Sequence, residues 1–337
     1  MEDKKSWLTI FFRHQRNGFF SIEKVFNIVL NNLPSGINYH CHFLKNNSNG
    51  FLKLIFNSIG SFLHRNKINH ITGDVTYIAN FLPGKRTIIT FHDLESLERK
   101  SRLKSLFLKY FWIILPSRKC EIITVISEHT KKKLLDITRV NPSKVRVIYD
   151  PLPNELKYSP QEFNKAKPVI LVMGTKPNKN LEGVIKAVGT IKCSLLIVGK
   201  LSQKQILALA EFGTEYENIY DVAYEKIIDA YIRSDILCFP SFYEGFGLPI
   251  IEAQAVGRPV ISSNFGAMKE VSADSALLVN PLDFHQITQA INKIICDQEF
   301  RASLIEAGRK NIERFEGVNI ALKYAEVYRE LLAKQTF

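Results

Sequence analysis

The sequence predicts an α/β protein made of two parallel-sheet domains facing a cleft, and three observations carry that expectation. Short β-branched or aromatic runs alternate with longer stretches of helical period, the pattern of βαβ units rather than of a sandwich or a bundle. The alternation stops in a polar stretch, residues 151–168, that has neither period and holds Pro151, Pro153, Pro160 and Pro168. It then restarts. A length of 337 residues suits about two domains of ordinary size. The expected boundaries are residues 1–155, residues 156–315, and a final helix over 316–337.

In the first half the expected strands are Leu8–Phe12, Ile37–Leu44, Val75–Ala79, Thr87–Phe91, Ile122–Ile126 and Val145–Tyr149. One helix begins at Ser21, with Ile22, Val25, Phe26 and Val29 at helical spacing. Another spans Phe51–Leu63. Ser127 followed by Glu128 reads as the N-cap and acidic first turn of a third. In the second half the strands are Val169–Met173, Ser194–Val198, Ile236–Phe239, Pro259–Ser262 and Ala276–Val279. Helices fall near Leu181–Val188, Ser202–Phe212, Pro249–Val256, Asp283–Cys296 and Phe300–Glu313. The last stretch places Ala321, Tyr324, Ala325, Tyr328, Leu331 and Leu332 on one helical stripe. Two readings of it are open: a strap returning to the first half, or a helix closing the second core.

Charge divides unevenly. The chain holds 45 Lys plus Arg against 33 Asp plus Glu, a formal charge of +12. Residues 1–150 hold 24 basic and 11 acidic side chains, residues 151–337 hold 21 and 22. One half therefore meets something anionic: a nucleic acid, a membrane surface or a phosphorylated ligand. The excess is densest at Arg99, Lys100, Arg102, Lys104, Lys109, Arg118 and Lys119, with no acid over 99–120, and continues in Lys131–Lys133. Leu103, Leu106, Phe107, Tyr110, Phe111 and Ile114 share one helical face there. Either this is an amphipathic helix for an anionic membrane interface, or it is a buried helix with solvated charged edges. No nucleic-acid motif or stacking platform accompanies the charge, so nucleic acid is not the expected partner.

The five cysteines are scattered without C-x-x-C spacing and read as small buried hydrophobes in a reducing compartment. The N-terminal residues lack a cleavable leader pattern, and no apolar run reaches the roughly 18–20 residues of a membrane span. The expected location is cytoplasmic, with peripheral contact at the inner face of the plasma membrane.

The most specific stretch is Pro240-Ser241-Phe242-Tyr243-Glu244-Gly245-Phe246-Gly247-Leu248-Pro249-Ile250-Ile251-Glu252-Ala253. A strand runs into a turn with two glycines, and Pro249 stands where a helix begins. The N–H groups of that helix start favour a phosphate, and Gly245 and Gly247 let backbone approach a ligand. Glu244 and Glu252 are then acceptors suited to sugar and ribose hydroxyls. A turn with a dipole-complementing glutamate would explain either feature alone. A second loop, Gly174-Thr175-Lys176-Pro177-Asn178-Lys179-Asn180-Leu181, follows the first strand of this half and offers two lysines to a diphosphate. Thr90-Phe91-His92-Asp93-Leu94 ends a first-half strand, where ligands bind in open α/β sheets.

Over residues 168–285 the chain resembles the retaining glycosyltransferases of family 4, which have the GT-B architecture of two Rossmann-like domains. The matching residues are Ser234-Asp235, Pro240-Ser241, Glu244 to Pro249, Glu252-Ala253, Gly257, Pro259-Val260-Ile261 and Glu270-Val271. The resemblance implies that Glu244 contacts donor-sugar hydroxyls, that Glu252 contacts the ribose, and that backbone at Gly245, Phe246, Gly247 and Leu248 holds the diphosphate. Thr175 and Lys179 fall in the family's phosphate loop. The family's arginine there is absent, leaving its role to Lys176 or to no residue. His92 is implied to hydrogen-bond the donor sugar, with Asp93 orienting the ring or the turn, and Gly18 to match a glycine loop facing the diphosphate. No Asp-x-Asp triplet occurs, which fits a metal-independent enzyme without cofactor. The function implied is transfer of a sugar from a UDP- or GDP-sugar donor to a lipid-linked or oligosaccharide acceptor in surface-polysaccharide (O-antigen) synthesis. The catalytic residues would be His92, Lys179 and Glu244. A GT-B sugar-nucleotide epimerase and a non-catalytic nucleotide-sugar-binding protein are the alternatives.

Overall fold

The computed structural model describes residues 6–15, 21–94 and 102–335. The chain divides into two compact units, one comprising Met1–Pro151 with Gly317–Phe337 and the other Leu152–Glu316. Each is built on a six-stranded parallel sheet.

The first unit contains β1 (Leu8–Phe12), α1 (Ser21–Asn31), β2 (Tyr39–Phe43), α2 (Phe51–Leu63), β3 (Ile68–Ile71), β4 (Thr87–Phe91), α3 (Arg102–Lys109), α4 (Leu115–Lys119), β5 (Ile122–Val125), α5 (Glu128–Thr138) and β6 (Val145–Val147). Its sheet order is β2-β1-β3-β4-β5-β6. β1 and β4 are buried along their whole length, which is why they read as β-branched and aromatic runs rather than as an apolar and charged alternation. α5 is capped as expected, the Thr130 amide donating to Ser127 Oγ at 3.0 Å.

The expected strand at Val75–Ala79 is instead a 3₁₀ turn over Thr76–Asn80. Its apolar side chains are buried, but against other side chains and not within a sheet. The strand in its place is β3, whose sequence Ile-Asn-His-Ile hides it behind two polar residues. Both are fully buried and both are satisfied. Asn69 Nδ2 donates to the Asn66 carbonyl at 3.2 Å. His70 meets the Tyr328 hydroxyl at 2.8 Å through Nδ1 and Thr90 Oγ1 at 2.8 Å through Nε2, and Thr90 continues to Thr124 at 2.6 Å.

The second unit contains β7 (Val169–Met173), α6 (Leu181–Val188), β8 (Ser194–Val198), α7 (Gln203–Glu211), β9 (Glu215–Ile219), α8 (Tyr224–Arg233), β10 (Ile236–Phe239), α9 (Leu248–Ala255), β11 (Val260–Ser263), α10 (Gly266–Ser272), β12 (Leu277–Val279), α11 (Phe284–Cys296) and α12 (Gln298–Asn311). The order is β12-β11-β10-β7-β8-β9. β9, α8 and α10 were not expected. β9 is a polar edge strand, Glu-Tyr-Glu-Asn-Ile, with its first three residues exposed, so it lacks the apolar run that marks a central strand.

The final helix, α13 (Gly317–Ala333), belongs to the first unit. Ile320, Ala321, Tyr324, Ala325, Tyr328 and Leu331 join the core formed by β1, α1 and β3. Gly317 is required at its start, because an added Cβ would stand 2.7 Å from Ile28 Cγ2.

Cys120, Cys193 and Cys238 are buried and Cys41 half-buried, all as free thiols. Cys296 is exposed, contrary to expectation. α11 turns Ile287, Ala290, Ile291 and Ile294 inward, and that stripe leaves its last residue outside.

Each sheet has one place where the strand order reverses, β1 beside β3 in the first unit and β7 beside β10 in the second. Loops leaving the C-terminal ends of such a pair separate, and open α/β sheets bind ligands in the crevice that results.

Candidate functional site

In the second unit the two loops singled out in the sequence leave the reversal point together, residues 174–180 from β7 and 240–247 from β10. Phe242 N donates to the Asn178 carbonyl at 2.8 Å, and Asn178 Nδ2 to the Tyr243 carbonyl at 3.2 Å. Asn180, at φ 57°, donates its buried amide to the Pro240 and Pro281 carbonyls at 3.2 and 2.6 Å. These bonds fix the loops against each other before any ligand arrives.

Lys179 and Glu244 meet inside this frame. Lys179 Nζ lies 2.7 Å from Glu244 Oε1, with the side chains only 19% and 15% exposed. Asn178 Nδ2 reaches the same oxygen at 3.2 Å, and the ammonium also sits 4.7 Å from the centre of the Phe239 ring. Gly174, at φ 94°, makes the fold-back possible, since a Cβ there would stand 2.9 Å from Lys179 Cγ.

Thr175 and Lys176 are placed differently from each other. The Thr175 hydroxyl donates to the Lys200 carbonyl at 2.6 Å, so it shapes the loop. Lys176 is exposed at the start of the turn Pro177–Lys179, and no ion pair is recorded for it among the described residues.

The 240–247 loop ends at Gly247, whose φ of 109° a side chain would strain, and α9 starts at Leu248 with Pro249 in its first turn. Phe246 is buried with its ring edge-on to Phe315 at 5.5 Å, so only its backbone is available to a ligand. Gly245 and Leu248 are half-buried beside it. Glu252 lies in the second turn of α9 rather than the first, and is 8% exposed. Its Oε2 accepts a 2.6 Å hydrogen bond from Tyr231 on α8. Burial, reinforced by the Glu252 charge, pushes the Tyr231 phenol far above its ordinary range, so it remains a donor. Tyr224, also on α8, is raised by the same two causes.

In the first unit His92 follows β4. Nε2 donates to the Thr72 carbonyl at 2.8 Å and Nδ1 faces Asp150 Oδ1 at 3.6 Å. Asp150, beyond β6, is therefore the carboxylate that faces the ring. Gly73, at φ 144°, leaves room for the imidazole, because its Cβ would lie 3.0 Å from His92 Cδ2. Burial alone would lower the His92 pKa. The Asp150 carboxylate, the Thr72 carbonyl and the nearby charge of Asp74 outweigh it and raise the pKa above its ordinary value. Arg13, directly after β1, is clamped by Glu23 at 2.9 and 3.0 Å and also pairs with Asp74.

Gly18 lies outside the described residues. The residues that sequence reasoning missed are Asp150, Arg13, Asn178 and the tyrosines of α8. The first two had a readable signal, since each follows a strand at its C-terminal end. The tyrosines had none, because α8 itself was not seen. Among the described residues no group of three or more His, Cys, Asp or Glu is placed to hold a metal ion.

Two family descriptions match adjoining stretches of the chain, "Glycosyltransferase Family 4" over residues 57–155 and "Glycosyl transferases group 1" over residues 154–311. The chain belongs to the family 4 glycosyltransferases. This glycosyltransferase is 26% identical over 281 residues to O-antigen chain mannosyltransferase B of Escherichia coli, a match covering 74% of this chain and 72% of that protein. It is 28% identical to O-antigen chain mannosyltransferase RfbU of Salmonella typhimurium over 61% of this chain and 60% of that one, less than two thirds of that relative's length. Among solved structures, sucrose-phosphate synthase of Thermosynechococcus elongatus superimposes with a TM-score of 0.78 at 16% identity, covering 98% and 100% of the two chains. HepE of Anabaena, solved with UDP and glucose, gives 0.77 at 17% identity over 96% and 99%. Both likenesses show the fold, which is GT-B.

Proposed function

We propose that this glycosyltransferase moves a sugar, with retention at the anomeric carbon and without a metal, from a nucleoside diphosphate sugar to a lipid-linked saccharide of a surface polysaccharide. The names of the relatives favour a mannosyl donor, and the carrier in this reading is GDP or UDP. The observation that carries the proposal is the Lys179–Glu244 pair held by Asn178 at the β7/β10 reversal. A cation and an acceptor pre-set 2.7 Å apart suit a donor that brings both a diphosphate and sugar hydroxyls.

In this reading Lys179 turns from Glu244 to the diphosphate, and Glu244 takes donor-sugar hydroxyls. The N–H groups at Gly245–Leu248 and the start of α9 hold phosphate oxygens, Lys176 adds a mobile charge, and Glu252 accepts from the ribose. Thr175 contributes loop shape, and Gly18 remains assigned to the diphosphate side. The bond from anomeric carbon to diphosphate oxygen breaks while the acceptor hydroxyl attacks on the same face, and its proton passes to the departing phosphate. His92 keeps the donor-sugar role that the family resemblance implies. Both ring nitrogens are committed here, so contact with the sugar requires the ring to release Thr72 or Asp150.

The acceptor reading rests on the basic surface of the first unit. Leu106, Phe107 and Tyr110 are 61%, 64% and 49% exposed on the helical run that carries Lys109, Arg118 and Lys119. A buried helix would hide them, whereas an anionic membrane at the cytoplasmic face would cover them. The described helices include none long and apolar enough to cross a membrane.

Thermal shift against a panel of UDP-, GDP- and dTDP-sugars tests the donor, since a ligand that binds only the folded state raises its melting point. Product formed with a lipid-linked acceptor, with the anomeric configuration read by NMR, tests the rest. Inversion, or absolute dependence on a divalent metal, would overturn the mechanism.

A further inference from the structure

Helix α2 is amphipathic in the wrong direction for a water-soluble surface. Its inward residues include Asn57, Ser58 and Ser61, all buried. Phe51, Leu52, Phe56, Ile59, Phe62 and Leu63 point outward, with exposures of 76, 68, 62, 52, 43 and 69%. At about 100° per residue these six fill an arc of about 140° on one side of the helix.

The buried polar groups show that the orientation is specified. Asn57 Nδ2 donates to the Asn46 carbonyl at 2.9 Å and to the Tyr77 hydroxyl at 3.0 Å, while its Oδ1 accepts from Asn46 N at 3.2 Å. Ser58 and Ser61 each return a 2.8 Å bond to the carbonyl four residues back. The two serine bonds lie within α2 and travel with it, but rolling α2 to hide its phenylalanines would break the Asn57 bonds to Asn46 and Tyr77. The outward apolar face is the stable one.

We infer that α2 is an interfacial anchor which lays this face into the headgroup and upper acyl region of an anionic membrane. Charge selects that occupant. From Lys24 to Gly73 the chain has no Asp or Glu. Lys45, Lys53, Arg65 and Lys67 are exposed on and beside α2 in the sequence, and none of them forms an ion pair with a carboxylate among the described residues. An interfacial helix with a cationic rim is attracted by anionic lipid and held by its apolar area. The same unit also exposes Leu106, Phe107 and Tyr110, and the two regions are joined through the core. Tyr77, bonded to Asn57, packs its ring 6.4 Å from Phe111 and 4.8 Å from Trp112, in the turn that follows α3. The inference rests on the lipid-linked reading of the acceptor and adds insertion by α2 to adsorption by charge.

The test uses the full chain and vesicles of phosphatidylcholine with or without phosphatidylglycerol. Replacing Phe51, Phe56 and Leu63 together by Ser removes exposed groups only, so the fold should persist, as circular dichroism checks. Co-sedimentation with anionic vesicles should weaken about tenfold or more, while transfer to a detergent-dispersed acceptor stays at the parent rate. In a separate chain, Phe56→Trp should give emission that shifts to the blue and is quenched by brominated lipid. Undiminished sedimentation of the triple variant, or an indole left unquenched while the chain sediments, would overturn the anchor and leave charge adsorption standing. So would a dimer in lipid-free solution that the triple variant dissociates, since a second copy would then cover the face. Insertion without transfer to any lipid-linked acceptor would uphold the anchor and remove the acceptor reading.

Discussion

Lys179 Nζ and Glu244 Oε1 lie 2.7 Å apart on loops that leave neighbouring strands of the second sheet, with Asn178 bonded to the same oxygen. Neither charge is spent on solvent, so each is available to a ligand that can offer a better partner. Lys179→Ala and Glu244→Gln should each lower turnover by about 100-fold or more and leave the circular dichroism spectrum unchanged. Steady-state transfer assays decide it, and near-parental rates for both would remove the pair from the mechanism.

Tyr231 holds Glu252 from behind. Tyr231→Phe leaves the carboxylate without its 2.6 Å donor, at a cost of about 1–3 kcal/mol. The KM for the donor should rise several-fold with kcat little changed, because the carboxylate loses its aim and not its charge. A fall in kcat at constant KM would contradict a role confined to binding.

His92 and Asp150 make a linked prediction. The His92 pKa is raised in the folded chain, so its ion pair stabilises fully below the ordinary value of 6.5 and fades as pH climbs through the raised value. Asp150→Asn should lower the His92 pKa, read from the imidazole proton shift by NMR. It should also remove that share of the loss of stability above neutrality.

His70 and His42 act in the opposite sense. Burial and the His92 charge lower His70 to about 3. Burial, His64, His40 and Lys45 lower His42 to about 4. Above 6.5 neither affects stability. As pH falls below it, the unfolded chain takes up protons that the folded one refuses. By pH ~5 the fully buried His70 should cost about 2 kcal/mol, and the partly exposed His42 less, because solvent screens it. Melting curves should show a steep acid decline that His42→Gln reduces.

Tyr328→Phe tests the buried network itself. Losing the bond to His70 should cost about 1–3 kcal/mol in chemical denaturation.

Most of the architecture was readable because ten of the twelve strands are apolar or β-branched enough to stand out between helices. β3 was missed since His70 and Asn69 are polar yet buried, and the His70 partners Tyr328 and Thr90 are distant in sequence, beyond any local pattern. β9 was missed because an edge strand can be polar. At the site, Lys179 and Glu244 were legible from glycine spacing and strand ends. Their direct pairing was not, because it depends on β7 and β10 being neighbours. The orientation of α2 could not be read at all, since periodicity reports that a helix has an apolar side and is silent on where that side points.

The placement of α13 carries a consequence for how the chain is made. Residues up to Pro151 supply every strand of the first sheet, yet Tyr324 and Tyr328, which fill its core and satisfy His70, come from the last helix. Until that helix leaves the ribosome, the first-synthesised unit has an open core and an unpaired histidine inside it. The second unit, continuous in sequence, has no such wait. Synthesis from N to C terminus therefore delivers the later unit finished first, and truncation before Tyr324 should damage the half of the protein that lies farthest away in sequence.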